Sequence, residues 1–325
     1  MTQLSRPESM LPVEDAIALG DASSSPISLR QRLADLATLA KVRITVMVVL
    51  TAWLGFAIGE NAAHKAGFSL YASSQARLFA LIGAMIGSAL ACMGASALNQ
   101  VYERDTDAKM NRTKDRPVVT GRISAAMGNL FGVFFSAAGV IILAATSTPL
   151  AAALAAFTVL SYVMVYTPMK RVNHTSTIVG AGPGALPPII GFAAAAGSLS
   201  IEAAAIFSIM FIWQLPHFLA IAWMYREDYG KAGFPMLPVI DPTGKSTFRQ
   251  MMLTCLILVP VGLMPTFIGM TGIAYFIVAL IAGLAFLTCG ILVVKHQTTK
   301  YARLMFFASL IYLPIILIMM AVDGR

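Results

Sequence analysis

Apolar residues dominate this chain, and they occur in long runs that contain no Asp, Glu, Lys or Arg. A membrane-spanning helix needs about 20 apolar residues, so most runs predict one span each. Two runs are long enough for two helices, with breaks expected near Ser147–Pro149 and near Gly269–Gly272. The pattern therefore predicts nine spans. The uncharged runs are Ile44–Gly59, Leu78–Tyr102, Ile123–Met169, Val172–Ile201, Ala203–Tyr225, Gln250–Val294 and Leu304–Val322.

The ends of this pattern predict further elements. The first run is short for a span, but Lys41 and Arg43 can extend their side chains to the membrane surface, so we expect the helix to begin before them. Leu29–Leu39 has the pattern of an amphipathic helix that lies along the membrane surface. We therefore expect a disordered cytoplasmic tail, residues 1–28, ahead of a single membrane domain, residues 29–325.

The composition, 58% hydrophobic and 12% charged residues, excludes the soluble globular class and predicts an all-α polytopic membrane protein. Twenty of the 23 Lys and Arg residues fall in the N-terminal segment and in loops two, four, six and eight, whereas the other side has only Lys65, Arg77 and Arg325. By the positive-inside rule, the N-terminus is cytoplasmic and the C-terminus lies on the far side. Much of the net charge of +8 reflects this topology and is poor evidence for nucleic-acid binding, so we expect no nucleic-acid partner.

The most polar segment, residues 99–122, directly follows the second predicted helix. It holds four of the 15 acids and six of the 23 basic residues. Asn99, Glu103 and Asp107 are four residues apart, so on one helix they would share a face over about 12 Å. Mg²⁺ prefers oxygen ligands and often completes its shell with substrate phosphate. Topology alone requires Lys and Arg but not these acids. The segment predicts a metal–diphosphate site at the cytoplasmic end of a membrane helix.

Three further places can contribute to this site. The basic residues just downstream suit the phosphate itself, and they are Lys109, Arg112, Lys114 and Arg116. Asp228 lies in a second acidic cluster after the sixth predicted helix, on the same membrane face. Two cations follow a tyrosine in the fourth loop, and they fit phosphate binding and topology equally well. They are Lys170 and Arg171.

His217 lies inside the sixth apolar run, about ten residues before Asp228. A polar residue at membrane depth suggests a function, although a histidine that only joins two helices by a hydrogen bond is an equal alternative. The adjacent Pro216 predicts a kink, because it removes a helical hydrogen bond. In the fifth run, three prolines (Pro183, Pro187 and Pro188) predict an interrupted helix.

Taken together, these motifs resemble those of the intramembrane, UbiA-type prenyltransferases. Asn99-x₃-Glu103-x₃-Asp107, with the Arg-Thr-x₂-Arg-Pro that follows it, is similar to the first aspartate-rich motif of that superfamily. The motifs around Lys41, Tyr166, Trp213 and Tyr225 are similar to those of its haem-farnesylating branch. The resemblance covers residues 33–322. The usual central aspartate of the first motif is Glu103 here, and the usual second aspartate pair is reduced to Glu227-Asp228.

The resemblance implies nine helices around a central cavity, with the active site on the cytoplasmic side. It also implies transfer of farnesyl from farnesyl diphosphate to a vinyl group of haem b, giving haem O for haem–copper oxidases, in a bacterial inner membrane with a periplasmic C-terminus. Haem A synthase and oxidase assembly factors are the partners it suggests. The implied roles are Mg²⁺ binding by Asn99, Glu103, Asp107 and Asp228, diphosphate binding by Lys41, Arg43, Arg112, Arg116, Lys170 and Arg171, and haem binding by His217.

Three other functions compete with this interpretation. The nearest is prenyl transfer to an aromatic quinone precursor or a chlorin. A Mg²⁺ or phosphate transporter would also place acids at helix ends, but no acid lies deep within a predicted span. A haem chaperone for oxidase assembly would need His217 but not the oxygen side chains that begin at Asn99.

Overall fold

The fold is all-helical, and the computed structural model describes residues 28–324. The predicted disordered tail lies outside the described residues except for Ser28. The Ser28 side chain accepts a hydrogen bond from the Gln31 backbone and caps the first helix, Leu29–Leu39, which confirms the predicted helix there.

Nine helices within the described residues are long and apolar enough to cross a membrane, as predicted. We number them in chain order and call them spans. They are span 1 (Val42–Lys65), span 2 (Ser74–Tyr102), span 3 (Ala125–Thr146), span 4 (Pro149–Met169), span 5 (Ser176–Ala196), span 6 (Ile201–Met224), span 7 (Lys245–Phe267), span 8 (Ile273–His296) and span 9 (Thr299–Val322).

Both breaks inside the long apolar runs lie where they were predicted. Span 3 ends at Thr146 and span 4 begins at Pro149, where the Thr148 side chain caps the new helix through the Ala151 backbone N–H. A proline at the first helical position needs no hydrogen-bond partner, which makes this a favourable place to restart a helix. Span 7 ends at Phe267, and span 8 begins at Ile273.

Span 1 differs from the prediction at its start. It begins at Val42, after Lys41 and before Arg43, because Lys41 adopts a left-handed backbone conformation with φ 45°. The helix gains its length at the other end, where it continues through Glu60 to Lys65. The left-handed residue turns the chain between the first helix and span 1.

Two spans are irregular. Span 4 consists of an α-helix (Pro149–Leu160), a π-helical segment (Ser161–Tyr166) and a final turn (Thr167–Met169). Span 5 is divided into Ser176–Gly184 and Pro187–Ala196, as its prolines predicted. The remaining short helices lie between spans and are Arg104–Asp107, Arg226–Ala232 and Leu237–Ile240.

Glycines allow the closest helix contacts. A side chain on Gly55 of span 1 would meet the Pro188 carbonyl of span 5, and one on Gly191 would meet the Ala52 carbonyl in return. Small residues at such contacts are typical of membrane helices, whose association depends on close van der Waals packing. Large apolar side chains such as Phe134, Ile281 and Ile311 are exposed on the outside, where they suit contact with lipid.

Because successive spans alternate in direction, the start of span 1 and the ends of spans 2, 4, 6 and 8 share one end of the bundle. Side-chain contacts between these ends and their adjoining loops bring Lys41, Asn99, Lys170 and Asp228 to the same end.

Candidate active site

The three predicted oxygen side chains are buried at this end, but they do not lie on one continuous helix. Span 2 ends at Tyr102, Glu103 has φ −86° and ψ 2°, and a separate turn runs from Arg104 to Asp107. The single-helix prediction is therefore wrong at Glu103. The side chains of Asn99, Glu103 and Asp107 nevertheless all face inward, with exposures of 2%, 2% and 0%.

Each of these oxygens is paired with a different basic residue. Lys41 Nζ donates to Asn99 Oδ1 at 2.9 Å. Lys170 Nζ donates to Glu103 Oε1 at 2.7 Å, and Arg116 Nη1 donates to Asp107 Oδ2 at 2.5 Å. Residues from the start of span 1, the end of span 4 and the loop after span 2 therefore meet at one site. Charge balance explains how two carboxylates can be buried here.

Thr167 links the site to the π-helical segment. Its Oγ1 accepts a hydrogen bond from Asn99 Nδ2 at 3.2 Å and donates to the Tyr162 carbonyl at 2.8 Å. The carbonyl is five residues earlier, which matches the wider winding of a π-helix. The sequence pattern did not single out Thr167 as a site residue. The available signal was a hydroxyl residue at the end of an apolar run, directly before Pro168.

Asp107 has an acceptor to spare. Its Oδ1 is buried and has no hydrogen-bond partner within residues 28–324. Burial raises the pKa of Asp107 above its usual value despite the neighbouring Arg116. An unpaired buried carboxylate oxygen is costly, so this atom suits an additional cation.

Glu103 behaves in the opposite way. Burial alone would raise its pKa, but Lys170, Lys41 and Arg116 outweigh that effect and hold the pKa of Glu103 below its usual value. The side chain is therefore a carboxylate. Of the two acids, Glu103 already has strong electrostatic compensation, and Asp107 has an oxygen available for a cation.

The basic residues also affect one another. Burial, together with the positive charges of Arg116 and Lys170, lowers the pKa of Lys41 to about 8. For Lys170, burial opposes the charge, but Tyr166 and Glu103 raise its pKa above the usual value. Lys170 therefore stays charged at neutral pH, whereas Lys41 can lose its proton in mildly alkaline solution.

The second acidic cluster touches the first. Asp228, in the short helix Arg226–Ala232, accepts a hydrogen bond at 3.4 Å from the Arg112 backbone N–H. The Arg112 side chain lies over the rings of Tyr225 and Tyr229, at 4.8 Å and 5.8 Å, and donates to the Tyr229 hydroxyl at 3.3 Å. Asp228 is half-buried, while Glu227 is exposed. Asp228 thus stands beside the site, next to a predicted phosphate-binding arginine.

Two of the residues predicted to bind diphosphate, Arg43 and Arg171, lie apart from the buried Glu103 and Asp107. Arg43 is exposed and makes no hydrogen bond or ion pair with any described residue. Arg171 donates to the Tyr102 carbonyl at 2.7 Å and lies over the ring of Tyr102, where it compensates the end of span 2. In the part of the chain described, no group of three or more His, Cys, Asp or Glu stands close enough to hold a metal ion. A metal such as Mg²⁺, which binds through one or two carboxylates together with water and substrate phosphate, is still compatible with this arrangement.

His217 lies deeper, seven residues before the end of span 6 at Met224, or about 10 Å along the helix. Its ring is stacked between Trp213 and Phe306, with ring centroids at 5.5 Å and 4.9 Å. Its Nδ1 lies 2.7 Å from Ser309 Oγ of span 9. The sequence did not indicate Ser309 or Phe306, since both lie in an uninterrupted apolar run.

Comparison with known proteins identifies the class to which this fold and site belong. A profile of the UbiA prenyltransferase family matches residues 48–311. A UbiA homologue from Aeropyrum pernix K1 has the same fold, with a TM-score of 0.64, 18% identity, and coverage of 86% of this chain and 98% of the other. A UbiA homologue from Archaeoglobus fulgidus, bound to DMAPP and Mg²⁺, has a TM-score of 0.59 and 16% identity, with coverage of 89% of this chain and 99% of the other. The chain therefore belongs to the UbiA prenyltransferase family.

Two curated relatives share higher sequence identity with this chain than these solved structures do. A protein from Solibacter usitatus is 44% identical over 89% of this chain and 98% of its own length, and it is named protoheme IX farnesyltransferase. A protein of the same name from Koribacter versatilis is 39% identical over 90% of this chain and 93% of its own length. This chain spans nearly the whole length of both relatives.

Proposed function

We propose that this protein transfers the farnesyl group of farnesyl diphosphate to a vinyl group of haem b, giving haem O and diphosphate. The proposal rests mainly on three buried contacts at one end of the bundle. They are the Lys41–Asn99 hydrogen bond and the Lys170–Glu103 and Arg116–Asp107 ion pairs. Such a site provides hard oxygen ligands and strong phosphate-binding cations within one compact volume. The names of the curated relatives supply the identity of the two substrates.

Mg²⁺ fits the donor set. The unpartnered Asp107 Oδ1, with Glu103, Asn99 and the neighbouring Asp228, offers the oxygen ligands that this ion prefers. The solved UbiA homologue with bound Mg²⁺ and DMAPP supports the same choice of ion. When bound, the ion neutralises charge on the diphosphate leaving group.

The basic residues then have a second role. In the free protein, three cations are bonded to side-chain oxygens of this chain, and on substrate entry each would bond to a diphosphate oxygen instead. They are Lys41, Lys170 and Arg116. Arg112 lies at the entrance, between the two acidic clusters. Charges held in place before the reaction stabilise the leaving group at little reorganisation cost. Arg43 and Arg171 lie farther out, so we propose only a long-range attraction of the substrate for them.

The chemistry follows from loss of the diphosphate. The bond between farnesyl C1 and the diphosphate oxygen breaks, and its electron pair leaves with the oxygen. The terminal carbon of the haem vinyl group attacks the resulting allylic cation and forms the new carbon–carbon bond. Water adds to the cation beside the porphyrin ring and loses a proton, which leaves a hydroxyethylfarnesyl side chain. Apolar surroundings protect the first cation from water until the vinyl group has reacted.

His217 suits the haem substrate better than the metal. Neutral imidazole is a good ligand for iron and a poor one for Mg²⁺. It lies about 10 Å inside the end of span 6, so a haem bound there would lie deeper than a diphosphate held at the end of the bundle and would face farnesyl C1. We therefore assign His217 to haem binding.

The orientation follows from the charges. We place the site end on the cytoplasmic side of a bacterial inner membrane, because loops two, four, six and eight, which lie at that end, carry the excess of Lys and Arg. Both substrates then enter from the cytoplasm, and the C-terminus is periplasmic. Haem A synthase and oxidase assembly factors are the partners to test, because they would receive the product.

The decisive experiment uses membranes that contain the full chain, in a host without farnesylated haem. The membranes are supplied with farnesyl diphosphate, haem b and Mg²⁺, and extracted pigments are weighed by mass spectrometry. A haem that has gained one farnesyl group and one hydroxyl supports the proposal. Unchanged haem b, with a prenylated quinone precursor or chlorin when those acceptors are offered, overturns it.

A further inference from the structure

The single hydroxyl proton of Ser309, in span 9, takes part in a hydrogen bond within its own helix. Its Oγ lies 2.6 Å from the Phe306 carbonyl oxygen, three residues earlier in the same helix. Two oxygens this close need a proton between them, and the carbonyl has none to give. The Ser309 hydroxyl therefore donates to Phe306, an arrangement that serines in helices commonly adopt.

This hydrogen bond determines which ring nitrogen of the neutral His217 carries the proton. The Ser309 Oγ also lies 2.7 Å from His217 Nδ1, and it has no second proton to donate. His217 must therefore donate through Nδ1–H. A neutral imidazole carries one N–H, so Nε2 is left with a lone pair. Within the described residues, Nε2 has no hydrogen-bond partner, and it is not among the side-chain atoms that are sealed from solvent.

Neighbouring contacts hold both residues in place. Trp213 Nε1 donates to the Ser309 backbone carbonyl at 2.8 Å, which ties span 6 to span 9 beside the histidine. The His217 ring is stacked between Trp213 and Phe306, at interplanar angles of 25° and 28°. Ser309 itself is fully buried. The ring therefore has one orientation in which Nδ1 is satisfied and Nε2 is free.

We propose that Ser309 is a positioning residue that holds His217 as the Nδ1–H tautomer and so assigns Nε2 to the iron of the haem substrate. This inference rests on the proposed function and makes it more specific. A lone pair on Nε2 can bind iron, but it cannot donate a hydrogen bond to a haem propionate. Histidine ligands commonly have their second nitrogen fixed by such a partner, and loss of that partner weakens metal binding by about 10- to 100-fold.

The test measures binding of haem b and of metal-free protoporphyrin IX to the purified full-length protein. The variants are Ser309→Ala, His217→Ala and Ser208→Ala. Ser208 is the matched control, because its hydroxyl also donates to a helix carbonyl, that of Ala204 at 2.8 Å, but it has no contact with His217. Affinity and the Soret band of bound haem are recorded for each protein.

We expect Ser309→Ala to bind haem b about tenfold more weakly, with a changed Soret band, and to bind the metal-free porphyrin as the wild type does. His217→Ala should lose more haem affinity and regain the wild-type Soret band when imidazole is added. Ser208→Ala should match the wild type with both porphyrins. Because the two porphyrins are compared in one preparation, a general loss of folding would lower both affinities together.

Two results would overturn the inference. One is a Ser309→Ala protein with wild-type haem affinity and spectrum; the other is an equal loss for both porphyrins, which points to packing or to propionate binding. Either result leaves the proposed function standing if wild-type membranes still farnesylate haem b. Failure of that transfer would instead remove the proposed function itself.

Discussion

At the level of single residues, Lys41 is a basic residue of the site whose charge changes in mildly alkaline solution. It follows the first helix in a left-handed conformation that directs its Nζ to Asn99 at 2.9 Å. Because burial and the charges of Arg116 and Lys170 lower its pKa to about 8, its ammonium form is lost as pH rises through that value. The protonated form is the one that can bind diphosphate.

We predict that kcat/KM for farnesyl diphosphate falls by about tenfold per pH unit above pH 8, because this parameter reports the free enzyme. The charge of bound diphosphate raises the pKa of Lys41, so kcat should decline only at higher pH. Lys41→Arg, which cannot lose its proton in this range, should remove the fall near pH 8. Initial rates at varied pH test this. The same fall in both proteins would assign it to another group.

Among the acids of the described residues, Asp107 has a side-chain oxygen that is both buried and without a hydrogen-bond partner. We predict that Asp107→Asn lowers transfer at least about 100-fold at every Mg²⁺ concentration, since it removes charge from the leaving-group site. The protein should still insert, because the change lies outside the spans. Activity at matched protein levels measures the effect.

Asp105→Asn is the matched control for Asp107→Asn. Asp105 is two residues earlier and exposed, and its one ion pair within the described residues is with Arg104 at 3.3 Å. This variant should keep near-normal activity. Comparable turnover in the two variants would remove Asp107 from the site.

At the level of elements, the π-helical segment of span 4 shapes one side of the site. It directs the Tyr162 carbonyl to Thr167 and places Tyr166 beside Lys170, whose Nζ lies 5.6 Å from the Tyr166 ring centre. Irregular turns of this kind are frequent at functional sites. The facing helix of span 5 supplies Gly180, which leaves room for the Tyr166 ring.

We predict that Gly180→Ala lowers kcat/KM for farnesyl diphosphate by about tenfold, because a displacement of about 1 Å at a site can cost more than that. The added Cβ would stand 2.5 Å from the Tyr166 ring, which must move with its neighbour Lys170. Gly182→Ala, two residues away, has open space around its new Cβ and should behave as the wild type. Equal activity of the two variants would show that Tyr166 tolerates the shift.

At the level of the whole molecule, the alternation of nine spans collects the polar residues at one end and leaves the other end with few charges. That other end carries Lys65, whose Nζ donates to the Gly269 carbonyl at 2.8 Å, and the ion pair of Arg77 with Glu60. The charge asymmetry between the ends implies one orientation in the membrane.

We predict that a cysteine at Thr106 or Thr243 reacts with an impermeant thiol reagent only from the cytoplasmic side. A cysteine at Ser69, which is exposed between spans 1 and 2, should react only from the outside. The three native cysteines are first replaced, since two of them are half-buried. Labelling in intact cells and in inverted vesicles distinguishes the sides. Outside labelling at Thr243 would reverse the topology and the route of substrate entry.

The sequence by itself determined the number of spans and the positions of their breaks. Both depend on local rules: about 20 apolar residues cross a membrane, and prolines and glycines interrupt helices. It also identified the segments that carry polar chemistry, such as the one beginning at Asn99, because topology requires Lys and Arg in that loop but not acids.

Only the tertiary structure decided which groups meet. Lys170 and Glu103 are 67 residues apart, and His217 and Ser309 are 92 residues apart, so no local pattern could pair them. The break at Glu103 and the π-helical turn before Thr167 also depend on neighbouring spans that supply hydrogen-bond partners. Apolar runs specify that a helix crosses the membrane, but the rotation and contacts of that helix follow from close packing against the others.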